Sequence, residues 1–337
     1  MQLFVTGGAG YVGSVVCEEL VRRGHQVTVF DNLATGHRAA VHPQCRFVRG
    51  DLRDAEVLGT ALQPSFDAVL HFAARSLVSE SMRDPLTYWE HNVGGAVTLL
   101  RVMRKRGVRR IVFSSSAAVY GEPEKVPIPE STPPAPTHAY GGSKRAIEML
   151  LEDATRAHGL RAVALRYFNA AGASELFGED HSPETHLIPN LLRSVLDRSA
   201  APRLFGDDYP TPDGTCIRDY VHVVDLADAH VRAVEALDSG CCGAINLGSG
   251  RGQSVLEILE AVRRVTGHPI PVTVEPRRPG DPPRLVAAVQ RASEELGWQP
   301  RRTRVDEIVK SAWDWLQAHP EGYVTGGPGG GAGEADA

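Results

Sequence analysis

The fold of this chain is constrained most strongly by a glycine-rich segment near its N-terminus, Thr6-Gly-Gly-Ala-Gly-Tyr-Val-Gly13. The segment follows an apolar run at Gln2–Val5 and precedes a helical pattern at Tyr11–Arg23. Three of its glycines are spaced by three residues: Gly7, Gly10 and Gly13. Glycine permits a tight turn and a close approach of a ligand to the backbone, and the free amides at a helix N-terminus attract a pyrophosphate. A strand, a glycine loop and a helix in this order predict a dinucleotide-binding unit.

Strand and helix patterns alternate through the first half of the chain. The predicted strands after the first are Gln26–Phe30, Arg46–Arg49, Asp67–Phe72, Arg110–Ser114 and Ala162–Tyr167, and the predicted long helices are Pro85–Arg106 and Tyr140–His158. Strands separated by helical crossovers indicate a parallel sheet with helices on both faces. The predicted fold class is therefore α/β, with a Rossmann-type doubly wound parallel sheet.

The second half of the chain has a different pattern, because proline, glycine and acidic residues divide it into shorter elements. We interpret residues 1–172 as an NAD-binding Rossmann domain and residues 173–323 mainly as a smaller α/β domain that binds substrate. Segments near residues 216–250 are expected to return to the first domain. The glycine-rich tail, residues 324–337, has almost nothing to bury and is expected to be disordered.

Acidic and small residues follow the predicted strands, at the edge where open α/β sheets bind ligands. Asp31 ends the second strand 18 residues after Gly13, where a carboxylate accepts hydrogen bonds from a ribose diol. Such a carboxylate repels a 2′-phosphate, so NAD is favoured over NADP; the structural alternative for Asp31 is a simple turn residue. The other strand-end residues predicted to bind the cofactor are Asn32, Asp51, Leu52, Phe72, Ala73 and Ala74.

Tyr140 and Lys144 lie four residues apart in a predicted helix, so their side chains share one face. An ammonium beside a phenol lowers the phenol pKa, and a phenolate can act as a base. The spacing alone is common in exposed helices, but the chain has only four lysines among 36 basic residues and one stands here. Ser116 is the last of three serines that close the fifth strand. Hydroxyl, phenol and ammonium together predict a proton relay beside a nicotinamide.

Composition excludes several other classes of protein. Charged residues make up 23% and apolar residues 42% of the chain, and the formal net charge of -5 argues against nucleic-acid binding. No apolar run is long enough for a membrane span, and no secretory signal is expected before the first strand. The five cysteines contain no C-x-x-C pair, which favours a reducing, cytoplasmic location. The 13 histidines show no metal-ligand spacing, so no metal is expected.

The glycine loop, Ser116 and the Tyr140/Lys144 pair resemble those of the extended short-chain dehydrogenase/reductases. Three further segments resemble the UDP-glucose 4-epimerase (UDP-galactose 4-epimerase) family within that group: Arg166-Tyr-Phe-Asn169, the block Gly206–His222 that contains Asp-Asp-Tyr-Pro-Thr, and Arg277-Arg-Pro-Gly-Asp281. The resemblance extends over residues 1 to 323, and the long block is its most specific part.

This resemblance implies roles for individual residues. It implies NAD contacts, beyond those already named, from Tyr11, Val12, Asn92, Lys144, Tyr140, Ser116 and Phe168, and UDP-sugar contacts from Asn169, His186, Leu187, Phe205, Arg218, Arg278, Asp281 and Leu285. Two positions depart from patterns in the family. His186 stands where an Asn often contacts phosphate, and Leu285 replaces a Tyr or Cys that limits the sugar pocket.

The implied activity is interconversion of UDP-galactose and UDP-glucose through a transient 4-keto sugar, with Tyr140 as base, by an enzyme that is a homodimer. Another UDP-sugar, an N-acetylhexosamine or a pentose, is an alternative substrate. A nucleotide-sugar dehydratase needs an acidic pair after the active-site serine, and Ala117 and Ala118 stand there. A net sugar dehydrogenase would release NADH. A non-catalytic NAD-binding regulator would have no need of Ser116, Tyr140 and Lys144 together.

Overall fold

A computed structural model describes residues 1–197, 201–278 and 280–323. The predicted disordered tail lies outside these residues. The strands are β1 (Gln2–Thr6), β2 (Gln26–Asp31), β3 (Arg46–Arg49), β4 (Ala68–His71), β5 (Arg110–Ser116), β6 (Arg161–Tyr167), β7 (Asn169–Ala171), β8 (Arg203–Phe205), β9 (Ile217–His222), β10 (Gly243–Leu247), β11 (Gly252–Ser254), β12 (Thr273–Glu275) and β13 (Arg284–Leu285). The α-helices are α1 (Tyr11–Arg22), α2 (Ala55–Ala61), α3 (Val78–Arg83), α4 (Pro85–Tyr88), α5 (Gly95–Arg106), α6 (Ala139–His158), α7 (Leu187–Leu196), α8 (Val223–Ala236), α9 (Val255–Thr266), α10 (Gln290–Leu296) and α11 (Val305–Ala318).

Seven strands form one parallel sheet in the order β10-β6-β5-β4-β1-β2-β3. The chain moves outward from β1 to β3 and then crosses to the other side of β1 with β4, so the strand order reverses between β1 and β4. Thr6 pairs with Phe30 of β2 and with His71 of β4, which brings the ends of the three strands level. A crevice forms outside the carboxyl ends of the strands at such a reversal. The predicted Rossmann-type fold is confirmed.

The side chains of β1 alternate between two apolar layers, because successive strand residues point to opposite faces of a sheet. Leu3 and Val5 pack with α1 and α8, and Phe4 packs with α5 and α6. All three side chains are fully buried. Burying a side chain of this size contributes about 1.5–3 kcal/mol relative to leaving it exposed, so the two layers fix the sheet and the loops at its edge.

The long predicted helix Pro85–Arg106 is present over its whole length, but its middle part is wider than an α-helix. Residues Trp89–Gly94, between α4 and α5, form a π-helical segment that contains Asn92. The Asn92 side chain accepts from the Arg75 amide at 2.8 Å and donates to the Arg75 carbonyl at 3.1 Å and to Ser143 Oγ at 3.0 Å. These bonds join the loop after β4 to α6, and widening the helix at this turn accommodates them.

Elements of the second half contribute both to the large sheet and to smaller ones. β10 lies at the edge of the large sheet beside β6, and α8 packs on α1. β9 instead pairs with β7, β11 and β13, and β8 pairs with β12. The domain boundaries remain a prediction. Within the described ranges, no helix combines the length and the apolar character that crossing a membrane requires.

Candidate active site

A cavity of about 1420 Å³ runs along the carboxyl edge of the large sheet and continues between the elements of the second half. Every residue that the sequence analysis assigned to cofactor, catalysis or substrate lines it. Lining residues that the sequence analysis missed include Tyr167, Glu179 and His181. The predicted residues, far apart along the chain, are therefore brought to one site.

The glycine loop is closely packed at two of its glycines. Gly7 has a φ of +75°, and a Cβ there would overlap the backbone of Ala73 after β4. A Cβ at Gly13 would overlap the Gly7 carbonyl oxygen. Gly10 precedes α1 without any side-chain cap on the helix N-terminus. The loop thus forms a cradle that a side chain would fill, in front of the amides of the first turn of α1, and this arrangement fits the pyrophosphate of a dinucleotide.

The Asp31 carboxylate at the end of β2 faces this cradle. Its oxygens accept from the Ala9 amide at 3.1 Å and from the Leu33 amide at 2.8 Å. Leu33 has a φ of +60°, a left-handed conformation that is costly for a residue with a side chain. Burial raises the pKa of Asp31, and the two amides offset part of that rise. A carboxylate held in place at the cavity edge is suited to accepting hydrogen bonds from a ribose diol.

Asp51 lies two residues after β3 and is held as a carboxylate by its neighbour. Arg53 Nε donates to Asp51 Oδ1 at 2.9 Å, and Asn32 Nδ2 donates to Oδ2 at 3.0 Å. The hydrogen bonds from Arg53, with a smaller contribution from Asn32, hold the pKa of Asp51 well below its ordinary value. Asp51 therefore carries a negative charge in the lining of the cavity, next to the Arg53 guanidinium.

Ser116 and Tyr140 meet where β5 ends and α6 begins. His138 caps α6, since its Nδ1 accepts from the Gly141 amide at 3.1 Å. Burial raises the pKa of Tyr140, and a hydrogen bond with Ser116 offsets part of that rise. The expected lowering of this pKa by Lys144 is not found, and burial of the phenol is the largest influence on it.

Lys144 lines the same cavity as Ser116 and Tyr140. Its Nζ donates to the Ser114 carbonyl at 2.7 Å and lies 4.9 Å from the centre of the Phe113 ring and 5.7 Å from that of Tyr140. The residue is 2% exposed, and burial lowers its pKa to about 7, although Glu148 acts in the opposite direction. Lys144 is thus a group whose charge changes near neutral pH.

This shifted pKa predicts a pH-dependent stability. The unfolded lysine retains its proton up to its ordinary pKa of 10.5, whereas the folded one loses it near 7, so the free energy of unfolding rises with pH between these values. At about 1.36 kcal/mol per pH unit, the gain attributable to Lys144 between pH 7 and 9 is about 2 kcal/mol. Urea denaturation at both pH values should show this gain in the wild type and its absence in Lys144→Met. Lys310→Met, which alters an exposed lysine, is the control, and its free energy of unfolding should still rise between pH 7 and 9. Loss of the rise in this control would contradict its attribution to Lys144.

A buried ion pair supports the helix that carries both Tyr140 and Lys144. Arg166 on β6 donates from Nε and Nη2 to the two oxygens of Glu148 on α6, at 2.8 and 2.7 Å. Ser115 of β5 also donates to Glu148, at 2.7 Å. The side chains of Arg166 and Glu148 are only 4% and 3% exposed. The pair fixes α6 against β5 and β6 one helical turn beyond Lys144.

The far end of the cavity carries cations from the second half. Arg218 Nη1 donates to the Pro282 carbonyl at 2.9 Å, and Nη2 donates to Asp281. The guanidinium of Arg278 lies 3.9 Å from the centre of the Phe205 ring. Two fixed guanidiniums beside an aromatic face can hold a diphosphate and stack a planar base.

Two other parts of the wall flank these cations. Leu285 pairs with Arg218 in the parallel pair of β13 and β9, and Asn169 begins β7, which also pairs with β9. His186 and Leu187 lie at the start of α7, which follows the loop that contains Glu179 and His181. The wall here is built from several short elements rather than from one strand edge.

Comparisons with known proteins agree with this geometry. Residues 3–248 match the family described as "NAD dependent epimerase/dehydratase family". A UDP-glucose 4-epimerase from Lacticaseibacillus casei is 51% identical over 327 residues, which cover 96% of this chain and 99% of that protein. The crystal structure of UDP-glucose 4-epimerase from Brucella ovis in complex with NAD is similar with a TM-score of 0.90 and 44% identity, covering 94% of this chain and 98% of that one. The Bifidobacterium longum UDP-glucose 4-epimerase in complex with NAD+ and UDP has a TM-score of 0.89 and 37% identity, covering 96% and 100%.

Proposed function

This chain belongs to the NAD dependent epimerase/dehydratase family, and on that premise we propose that it is a UDP-glucose 4-epimerase, an NAD-dependent isomerase that interconverts UDP-galactose and UDP-glucose. One observation carries the proposal. A single cavity joins a dinucleotide cradle at the sheet edge to the cations of the second half, with Ser116, Tyr140 and Lys144 also in its lining. A catalytic group in such a place can reach a sugar whose diphosphate is held by those cations.

The residues present fit NAD. The amides of the glycine loop would hold its pyrophosphate, Asp31 its adenosine ribose and Lys144 its second ribose. Hydride chemistry at sugar C4, with a transient 4-keto sugar, is what NAD supplies when bound. Because the cofactor is restored in each cycle, the protein has no need to release it.

Proton transfer is assigned to Tyr140. Its Oη would take the proton of the sugar 4′-hydroxyl, and Ser116, which lines the same cavity, would share that proton in a relay. A buried phenol with a raised pKa holds its own proton firmly in the resting protein. The positive charge of a nearby Lys144 would favour the phenolate, and its pKa near 7 makes that charge dependent on pH.

The nucleotide and the sugar would be held in different ways. Arg218 and Arg278 carry charges suited to the diphosphate, and Asp281, which accepts from Arg218, can also accept from the uridine ribose. Leu285 offers the sugar an apolar contact. Firm binding of UDP with few polar contacts to the hexose would let the keto sugar turn and present its other face, which inversion at C4 requires.

An NMR time course of the purified protein with UDP-galactose, without added NAD, tests this function. We expect UDP-glucose to accumulate until the two sugars reach equilibrium, without build-up of NADH absorbance. Absence of conversion even after NAD is supplied would contradict the proposal. Leucine at position 285 is intermediate in size, so the same experiment with UDP-N-acetylgalactosamine measures how wide the sugar pocket is.

We further propose that the protein is a homodimer that pairs through two long helices, the stretch Pro85–Arg106 and α6. Four apolar side chains are exposed on or beside these helices: Met82 at 63%, Leu86 at 78%, Trp89 at 41% and Met149 at 51%. The first three come from α3, α4 and the π-helical segment, all of which pack beside α6. An exposed apolar surface of this kind favours contact with a second copy, in which the same helices would form a four-helix interface.

Leu86→Glu is expected to weaken this dimer, since it places a charge in the apolar interface. Sedimentation at micromolar concentration should give about twice the chain mass of 36.4 kDa for the wild type and values near 36.4 kDa for the variant. Leu176→Glu, an exposed leucine elsewhere, should leave the mass unchanged. A wild-type mass near 36.4 kDa would exclude the dimer.

A further inference from the structure

We propose that the loop before α7 is a binding site for a transition-metal dication, with Zn²⁺ as the ion that its donor set fits best. The proposed ligands are Glu179, His181, Glu184 and His186, which occur within eight residues in the pattern Glu-x-His-x-x-Glu-x-His. The inference goes beyond the epimerase function and departs from the expectation, based on histidine spacing, that the chain binds no metal.

The four side chains converge on one point. Their donor atoms all lie within 4.8 Å of one another. Nδ1 of His186 is 2.7 Å from Oε1 of Glu179 and 2.8 Å from Oε1 of Glu184. Nδ1 of His181 is 3.0 Å from the same Glu179 oxygen. Metal–ligand bonds of about 2.0–2.2 Å place tetrahedral ligands roughly 3.4 Å apart. The three separations given lie about 0.4–0.7 Å below this value, and no pair of donor atoms is more than 4.8 Å apart, so small side-chain rotations would form the site.

The carboxylates are buried, and one of their oxygens has no partner. The side chains of Glu179 and Glu184 are 7% and 3% exposed. Oε2 of Glu184 is buried and has no hydrogen-bond partner among the residues that the structure describes. An unpaired, buried carboxylate oxygen is costly, and a bound cation would remove that cost. The hydrogen bonds that Glu184 accepts within the loop go to Oε1, so a cation held by both carboxylate oxygens would give Oε2 its partner.

The backbone of the loop is fixed by Asp180, which stands between two of the ligands. Asp180 accepts from Arg193 of α7 at 3.1 Å and from the Tyr323 amide at 2.8 Å, and its carbonyl oxygen lies 2.8 Å from His37 Nε2. The ligands therefore project from a segment that is already held in place. Such pre-organisation lowers the entropic cost of binding.

The donor set selects the class of ion. Two imidazole nitrogens and two carboxylate oxygens suit Zn²⁺ and its neighbours Co²⁺ and Ni²⁺, whereas Mg²⁺ and Ca²⁺ prefer oxygen alone. Coordination through Nδ1 leaves the His186 Nε2 proton in place, since a neutral imidazole carries one N–H. The proposed contact of His186 with the substrate phosphate is therefore compatible with a bound metal.

Calorimetric titration of Zn²⁺ into the full-length protein, purified as the holoenzyme and treated with EDTA, tests the proposal. The titration uses a Cys242→Ser background, because Cys242 is an exposed free thiol and thiols are zinc ligands in their own right. We expect one equivalent of Zn²⁺ to bind, and Co²⁺ at the same site to give the visible absorption of a tetrahedral ion. His181→Ala and Glu184→Gln should each weaken binding at least tenfold.

His158→Ala, which removes an exposed histidine from the end of α6, is the matched control and should leave the titration unchanged. Circular dichroism verifies the fold of each variant. If His181→Ala proves unstable, Glu184→Gln still tests the site, because glutamine has nearly the same shape as glutamate. Binding weaker than millimolar, or equal binding by the parent, His181→Ala and Glu184→Gln, would overturn the proposal. Neither readout depends on epimerase activity, so the result is separable from the proposed function.

Discussion

Tyr140→Phe should reduce the rate of epimerisation by about 10²–10⁴-fold, the usual contribution of a positioned acid–base group. The substitution removes one oxygen atom and keeps the aromatic ring in its half-buried place at the start of α6. Without the phenol, no oxygen remains to take the proton of the 4′-hydroxyl through Ser116. The NMR time course with UDP-galactose measures the rate, and retained NAD absorbance together with circular dichroism reports an intact fold.

Tyr209→Phe provides a control for the loss of a phenol. Within the part of the chain that the structure describes, the buried Tyr209 hydroxyl has no hydrogen-bond partner, and the residue does not line the cavity. Its removal should leave the rate within a factor of two or so, because no interaction is lost. Turnover by Tyr140→Phe at a rate close to that of Tyr209→Phe would show that another group acts as the base.

Arg166→Met should be the most destabilising of the substitutions considered, lowering the free energy of unfolding by about 3–5 kcal/mol. The change leaves the Glu148 carboxylate buried at 3% exposure without its bidentate partner. The hydrogen bond from Ser115 and the single, longer contact from Arg145 Nη1 at 3.3 Å do not replace that pair. Urea denaturation at pH 7 gives the difference directly. Enzymatic activity, measured at urea concentrations well below the midpoint of unfolding, should also fall, because α6 carries both Tyr140 and Lys144.

An exposed ion pair on the same helix sets the scale for this effect. Arg156 pairs with Asp153, and their side chains are 71% and 69% exposed. Arg156→Met should cost less than about 1 kcal/mol, since water screens such a pair. Equal losses for the two variants would mean that burial of the Arg166 pair does not determine its contribution.

The sequence predicted the parallel sheet and its ligand edge because both follow from local patterns. Alternating strand and helix periods predict a doubly wound fold, and the carboxyl ends of parallel strands then meet on one side. Asp31, Asp51 and Ser116 each stand at or just after a strand end, so their convergence required no knowledge of long-range contacts. The cations of the second half were placed by resemblance rather than by pattern, since β8, β9 and β13 are short and pair out of sequence order.

Other features depend on contacts that no local pattern contains. The π-helical segment at Asn92 arises from bonds to Arg75 and Ser143, which are 17 and 51 residues away. The effect of Lys144 on Tyr140 was misjudged because spacing gives no measure of burial. The cluster at Glu179 was missed because its members do not match a familiar metal motif. A search for mixed His and Glu residues within one short segment would have found it.

The contact of Asp180 with His37 and Tyr323 has a consequence for the order in which the protein matures during synthesis. The first six strands of the large sheet are complete once residue 167 has left the ribosome, and they can pair while translation continues. The contact between Asp180 and the Tyr323 amide cannot form until Tyr323 is released. The loop before α7, which carries the cavity residues Glu179 and His181, would therefore reach its final position only after these six strands have been made.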